Sequence, residues 1–214
     1  TYISYDVYIA PGLVGMVLLF NGMQSSLAMV YDREMGLMRL LLTAPLPRPW
    51  LLFSKLCATA LLSMLQALAF VIVAALIGTQ LPVLTLAGLH ALLALACGAL
   101  MLGAFGLLLS VHIRQLENFA GTMNFVIFPM YFISTALYPL WKLQESGADW
   151  VYWLARVNPF THAIEWIRFA LYGKDPGLAP WVVLGCLIVC FTLSCWGYDP
   201  QRGFGGLTKK GPPG

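Results

Sequence analysis

Charged side chains are scarce in this sequence of 214 residues. It has 12 Lys and Arg and 9 Asp and Glu, so 10% of the residues are charged while 60% are hydrophobic. Soluble domains carry about 25% charged residues, which excludes a soluble globular enzyme, and the high hydrophobicity excludes a disordered chain. The net charge of +3 is too small to suggest a nucleic-acid partner. We therefore predict an integral membrane protein.

The sequence also lacks the motifs of metal and nucleotide sites. Its five cysteines lie in apolar stretches without a CxxC pair or a histidine cluster, so neither a metal site nor a disulfide is expected. A P-loop ending at Gly173-Lys174 would need glycine at position 168 and serine or threonine at position 175. The chain has Arg168 and Asp175 there. If ATP drives this protein, a separate subunit must bind it.

Long uncharged stretches mark where the chain crosses the bilayer, since a span needs about 20 apolar residues. No charged residue occurs between Lys55 and Arg114, a stretch long enough for two crossings, and a turn signal at 78–82 divides it. The predicted spans are 10–31, 54–78, 84–111, 119–140 and 179–197. Because a backbone in lipid must satisfy its own hydrogen bonds, each span is expected to be helical. The predicted fold class is an all-α integral membrane protein.

The positive charges predict the orientation. With five spans, the segments 32–55, 112–118 and 199–214 share one side of the membrane and carry eight of the 12 Lys and Arg. The opposite side carries the other four, so the first group is expected to be cytoplasmic. We predict a multi-pass protein of the plasma (bacterial inner) membrane, in contact with membrane lipid, with 199–214 as a cytoplasmic tail.

The loop after the first predicted span is predicted to contain a short amphipathic helix over 32–44. Acidic residues stand at its start, as at a helix N-terminus, and Pro45 and the prolines that follow end it. Leu37, Leu40 and Leu41 form an apolar stripe. Such a helix could float at the membrane interface or dock into a partner's groove.

A segment that is too polar to span, 142–173, predicts two short helices that lie in or re-enter the outer leaflet. Trp150 and Trp153 fit one apolar face of the first helix. Asn158 is expected to cap the second, with Pro159 at its first helical position. Glu165 and Arg168 are three residues apart and can pair.

Polar residues inside the predicted spans are candidates for a substrate path. They fall on one face of each of three spans: Asn21, Gln24 and Ser25; Thr59, Ser63 and Gln66; Asn124, Tyr131 and Thr135. The alternative for each is an interhelical hydrogen bond, worth about 0.6 kcal/mol on average. Ala99, Gly103 and Gly106 are interpreted instead as a close-packing face for a neighbouring helix.

Four segments together resemble a known family, the type-2 ABC transporter permeases, and in particular its branch of drug-resistance, nodulation-factor and polysaccharide exporters. They are Ala10-Pro11-Gly12-Leu13; the loop with Arg33-Glu34, Gly36, Leu40-Leu41, Pro45 and Arg48; Phe128-Pro129-Met130-Tyr131 with Leu137-Tyr138-Pro139-Leu140; and Asn158-Pro159-Phe160 followed by Arg168. The loop departs from the family at Leu37, where threonine is frequent. The family has six spans, so the resemblance implies that a first helix precedes Thr1.

The resemblance implies a permease subunit that forms the path of an ATP-driven exporter. A separate ABC ATP-binding subunit would hold ATP and Mg, this chain would bind no cofactor, and a second permease half would complete the path. The resemblance assigns coupling to Asp32, Arg33, Glu34, Gly36, Leu37, Arg39, Leu40, Leu41, Pro45 and Arg48, and an outer re-entrant hairpin to Asn158, Pro159, Glu165 and Arg168.

Two alternatives stay open at this point. One is a membrane subunit that only scaffolds partners. The other is an intramembrane enzyme that uses the acid and base groups at His112 and Glu117 or at His162 and Glu165. These two pairs are predicted at opposite membrane edges, separated by a core of about 30 Å, and could not form one site. No catalytic residue is therefore predicted.

Overall fold

The computed structural model describes residues 5–36, 47–77, 86–113, 116–145 and 149–197. These residues form eight helices and no strand: α1 Tyr5–Glu34, α2 Arg48–Leu76, α3 Leu86–His112, α4 Leu116–Phe132, α5 Leu140–Glu145, α6 Asp149–Val157, α7 Pro159–Leu171 and α8 Ala179–Gly197. The predicted all-α membrane fold is confirmed. The predicted tail, 199–214, and the predicted turn at 78–82 lie outside the described residues.

Within the described ranges, four helices are long and apolar enough to cross a membrane. They cover Tyr8–Asp32, Pro49–Leu76, Gly88–His112 and Ala179–Gly197, which correspond to four of the five predicted spans. α3 is the central helix, because it packs against α1, α2, α7 and α8. Its uncharged, small-residue sequence suits this position, since it offers side chains that can be buried on several sides.

The remaining predicted span, 119–140, has the wrong C-terminal bound. Its helix, α4, has 17 residues and ends at Phe132, and the chain turns through 133–139 before α5 begins. In this turn the Ser134 hydroxyl binds backbone groups in place of helical hydrogen bonds: it donates to the Tyr131 carbonyl and accepts from the Ala136 amide. Side chains from other helices bind the exposed carbonyls, so the helix can end inside the protein.

Glycines allow α1 and α3 to approach closely. A Cβ atom at Gly106 would overlap both Ser26 and the carbonyl of Gly22, and one at Gly22 would lie 3.0 Å from the backbone of Leu102. The Ser26 hydroxyl donates to the Gly22 carbonyl within α1. Of the predicted close-packing face of Ala99, Gly103 and Gly106, Gly106 thus lies against α1, because small residues let helix backbones meet in a membrane. A Cβ atom at Gly103 would instead meet Leu56 and Thr59 of α2.

The polar segment forms three short helices rather than two, since α5 precedes the predicted pair. α6 exposes its apolar face, with Trp150 at 69% and Val157 at 77% exposure, so this face does not pack against the described part of the chain. Most of α7 is buried against α1, α3 and α8. The predicted cap of α7 is confirmed: Asn158 Oδ1 accepts from the Phe160 amide at 3.0 Å, and Pro159 is the first helical residue.

Candidate functional site

Two groups of polar contacts lie at opposite ends of α4. We call the end near Glu34 and Leu116 the loop end, because the loop after α1 begins there. We call the end near Thr135 and Asn158 the hairpin end, because α5, α6 and α7 lie there. α1 runs from the hairpin end to the loop end and packs along α4.

At the loop end, the predicted start of the amphipathic helix is wrong. Asp32, Arg33 and Glu34 form the last turn of α1, which continues without a break and ends in a turn at Gly36. Neither proline nor glycine occurs over 23–35, just before and through this turn, whereas Gly36 adopts a φ of 74°, a left-handed conformation that suits glycine at a helix end. The acidic residues therefore stand at a helix C-terminus, where the helix dipole disfavours them.

Contacts with two other helices compensate for these charges. Lys55 of α2 forms an ion pair with Asp32 at 2.5 Å, and both side chains are 28% exposed. Glu34 Oε1 accepts a hydrogen bond from the Leu116 amide, the first residue of α4, at 2.8 Å. The carboxylate of Glu34 thus lies at the N-terminus of α4 rather than at that of the predicted loop helix. A negative charge is favourable at this position.

At the hairpin end, side chains of α1, of α7 and of its cap converge on carbonyls in the last turn of α4 and just after it. Arg168 Nη2 donates to the Thr135 carbonyl at 2.8 Å, and the Tyr8 hydroxyl donates to the same carbonyl at 2.9 Å. Asn158 Nδ2 donates to the carbonyls of Met130 at 2.7 Å and Ile133 at 3.1 Å. We call Tyr8, Thr135, Asn158 and Arg168 the polar junction.

Arg168 is the centre of the polar junction. Its residue is only 8% exposed, and its Cζ atom lies 3.9 Å from the centroid of the Tyr8 ring. The aromatic face attracts the cation, and such a contact is strongest when both groups are removed from water. A cation beside the C-terminus of α4 is also favoured by the helix dipole. The guanidinium therefore joins α7 to both α1 and α4.

The predicted ion pair between Glu165 and Arg168 is not formed, because the guanidinium binds the Thr135 carbonyl instead. Burial raises the pKa of the Glu165 carboxyl, and the nearby His162 and Arg168 oppose this effect. Burial likewise lowers the pKa of the Arg168 guanidinium, against the opposing influence of Tyr8 and Glu165. Glu165 is therefore an electrostatic neighbour of the junction rather than a direct partner.

Several buried polar atoms near this end have no hydrogen-bond partner in the part of the chain that the structure describes. They are Nε of Arg168 and the hydroxyls of Thr135 and Thr161. Buried polar groups are nearly always hydrogen-bonded, to protein or to ordered water. The junction thus retains unused hydrogen-bonding capacity.

The residues predicted to line a path are not brought together in one site. Ser25 and Thr59 join α1 to α2 through a hydroxyl contact of 2.5 Å, and Asn21 donates to the Val17 carbonyl of its own helix. Ser63 is fully buried, with no partner for its hydroxyl among the described residues. Gln24 of α1, Gln66 of α2 and Asn124 of α4 are exposed, whereas Tyr131 and Thr135 are buried near the polar junction.

Part of the predicted coupling set cannot be placed. Leu37, Arg39, Leu40, Leu41 and Pro45 lie outside the described residues. Arg33 and Arg48 lie in α1 and α2, but their side chains also fall outside the described part.

The structure joins three residues to the predicted set that were not predicted as site residues: Tyr8, Lys55 and Leu116. The sequence does contain an indication for Lys55, because it is the last charged residue before a long uncharged stretch. A lysine side chain at the start of a membrane span needs an anionic partner. For Tyr8 there is no such indication beyond its place near a membrane interface, since its partners lie more than 100 residues away in the sequence. Leu116 contributes only its backbone amide.

Comparisons with known proteins identify the family of this chain. The profile of the family described as "ABC-2 type transporter" matches residues 2–172. A protein of Porphyra purpurea named "Putative transport permease ycf38" is 31% identical over 177 residues, which is 80% of this chain and 58% of the relative. The protein of the same name from Cyanophora paradoxa is 31% identical over 178 residues, 82% of this chain and 59% of the relative. The chain thus spans somewhat over half the length of these relatives.

Proposed function

Because the chain belongs to the ABC-2 type transporter family, we propose that it is the permease subunit of an ATP-driven exporter and forms the substrate path. The family match and the membrane-spanning helices support a multi-pass membrane permease. The coupling to ATP, the partners and the direction of transport are the further parts of this proposal.

The path is argued from exposed amide side chains on the apolar helices. Of the three among the predicted path residues, two, Gln24 of α1 and Asn124 of α4, lie on helices that pack together. Gln24 lies ten residues before Glu34 in α1, and Asn124 lies eight residues after Leu116 in α4. At 1.5 Å per residue these distances are about 15 and 12 Å from the loop end, near the middle of a core of about 30 Å. The two amides therefore lie at similar depth on two helices that pack together.

Exposed amides at this depth would be costly against lipid. An amide that loses water without gaining a hydrogen bond costs about 1–3 kcal/mol in proteins. Polar residues in membrane helices accordingly face water-filled paths or other helices. We therefore place Gln24 and Asn124 on the path, which a second permease half would enclose.

A labelling experiment tests this placement. With the native cysteines replaced, Gln24→Cys and Asn124→Cys should react with a water-soluble maleimide in the reconstituted transporter. Leu65→Cys is the matched control, because Leu65 is 67% exposed on α2 and is expected to face lipid. Equal, slow reaction at all three positions would place the amides in lipid and contradict the path.

The ATP-dependent part of the proposal rests on the absence of a P-loop in this sequence. ATP and Mg would bind to a separate subunit, and the loop after α1 would contact that subunit through residues such as Leu37, Leu40 and Leu41. We expect the purified chain to hydrolyse no ATP, and a cognate P-loop subunit to be stimulated by it. Hydrolysis by the chain alone, with contaminating ATPases excluded, would refute this division of labour.

The variant Leu40→Asp tests the contact itself. It should reduce capture of the ATPase subunit while leaving membrane insertion intact, because the spans hold the chain in the bilayer. Equal capture by the wild type and by Leu40→Asp at equal membrane levels would favour a loop that only floats at the interface.

The loop end is proposed to face the cytoplasm, because it carries most of the positive charge. Met35 at the loop end and Leu178 at the hairpin end are both exposed, at 62% and 76%. In intact cells, an impermeant maleimide should label Leu178→Cys and spare Met35→Cys. The opposite pattern would invert the orientation.

A further inference from the structure

The contact between Glu34 and Leu116 links two distant parts of the sequence at the base of the loop. Glu34 is the last residue of α1, and Leu116 is the first residue of α4, 82 positions later. The first amides of a helix have no partner within the helix, so a carboxylate from another segment can cap them. Here the cap of α4 is supplied by the residue from which the loop departs.

We propose that Glu34 is a positioning residue that transmits movement of the loop to α4, rather than a contact for the ATPase subunit. This inference rests on the proposed function, since it assumes that a partner moves the loop. It changes the role that the family resemblance implies for Glu34, because the structure gives its carboxylate a partner inside the same chain.

The surroundings of Glu34 allow such movement. The turn after it contains Met35, which is 62% exposed, and Gly36. Among the described residues, no heavy atom lies within 4 Å of the position that a Cβ at Gly36 would take. This turn can therefore shift without breaking packed contacts among the described residues. Two residues earlier, the ion pair of Asp32 with Lys55 joins the same helix end to α2.

α4 is the helix best suited to respond. Among the described helices it packs chiefly against α1, and its two ends are held by polar contacts, from Glu34 at the loop end and from the polar junction at the hairpin end. It also carries Asn124, which we place on the path. A displacement of Glu34 is therefore transmitted to α4 through the single hydrogen bond from the Leu116 amide.

Three variants separate a cap from a partner contact. Glu34→Ala removes the acceptor, whereas Glu34→Gln keeps an amide oxygen that can accept from the Leu116 amide. Glu117→Ala is the matched control, because it removes an exposed carboxylate from the same helical turn. Each variant is compared with the wild type in lipid nanodiscs, first alone and then with the ATPase subunit.

The first readout is hydrogen exchange of the amides at 116–119 in the chain alone. Glu34→Ala should speed this exchange by about fivefold, the effect of losing a helix cap of ordinary strength, while Glu34→Gln and Glu117→Ala stay near the wild type. Unchanged exchange in Glu34→Ala would overturn the cap. This measurement needs no partner, so it tests the cap independently of the proposed function.

The second readout uses the complex. Glu34→Ala should capture the ATPase subunit as well as the wild type does, yet lose most of the stimulated ATP hydrolysis, and Glu34→Gln should restore it. Lost capture in Glu34→Ala would overturn the inference and make Glu34 a partner contact. Failure of Glu34→Gln to restore stimulation would also overturn it. Failure of the wild type itself to capture an ATPase subunit would instead refute the proposed function.

Discussion

The two ends of α4 are held by the same kind of contact in opposite environments. At each end, a charged side chain from another helix lies against the helix terminus that its charge favours: Glu34 at the N-terminus and Arg168 beside the C-terminus. Arg168 is 8% exposed, whereas the Glu34 contact lies at an exposed surface. The same arrangement, a charged side chain bound at a helix terminus, is therefore expected to be rigid where it is buried and to allow movement where it is exposed.

Burial determines how much each contact contributes. A hydrogen bond from a charged group contributes about 1.5–3 kcal/mol when it is well shielded from water. Exposed ion pairs contribute about 0–1 kcal/mol, because water and salt screen them. The polar junction should therefore stabilise the fold, whereas the contacts at the loop end should be easily broken and remade.

The largest effect is expected from Arg168→Ala. It removes the hydrogen bond to the Thr135 carbonyl and the contact with the Tyr8 ring, so the free energy of unfolding should fall by about 3 kcal/mol. For a chain of this size the melting temperature should then fall by roughly 6–12 °C in detergent.

Arg156→Ala is the matched control for that measurement. Arg156 also stacks on an aromatic ring, with its Cζ atom 5.4 Å from the centroid of Trp153, but both residues are exposed. Its replacement should change the free energy of unfolding by less than about 1 kcal/mol. Equal shifts for the two variants would mean that burial does not distinguish the junction.

Asn158→Asp should have a smaller but more specific effect. The new carboxylate can still accept from the Phe160 amide, but it cannot donate to the carbonyls of Met130 and Ile133. We expect a loss of about 2 kcal/mol, measured by thermal unfolding. A variant as stable as the wild type would show that Asn158 acts only as the cap of α7.

The smallest effect is expected at the loop end. A double-mutant cycle with Asp32→Asn and Lys55→Met should give a coupling energy of about 0.2–1 kcal/mol, which falls as salt is added. A coupling energy above about 2 kcal/mol, insensitive to salt, would be typical of a buried pair and would remove the contrast between the two ends.

The sequence predicts well what neighbouring residues decide. Four spans and the cap of α7 follow from local apolar length and from Asn158-Pro159. The structure has a long apolar helix at each of these four spans, and it confirms the cap. The start of the loop helix was predicted wrongly at Asp32. Acidic residues are typical of a helix N-terminus, but they can cap a helix from a distant part of the sequence as well as the helix that follows them. In the structure Glu34 caps α4.

Contacts between distant residues lie beyond such reasoning. Arg168 was expected to pair with Glu165, its neighbour on the same helix, yet it binds a carbonyl 33 residues away and the ring of Tyr8. The early end of α4 has the same origin, since Asn158, the cap of α7, binds the carbonyls of Met130 and Ile133. The hydrophobic pattern and the spacing of residues along the sequence do not predict which side chain binds at which helix end.

Hydrogen exchange in the complete transporter tests the central contrast most directly. The chain and its ATPase subunit, in nanodiscs, would be compared with and without a nonhydrolysable ATP analogue. Our account predicts changed exchange at 32–36 and 116–119, at the loop end, and unchanged exchange at 130–136 and 159–162, around the polar junction. Changed exchange at the junction with none at the loop end would contradict it.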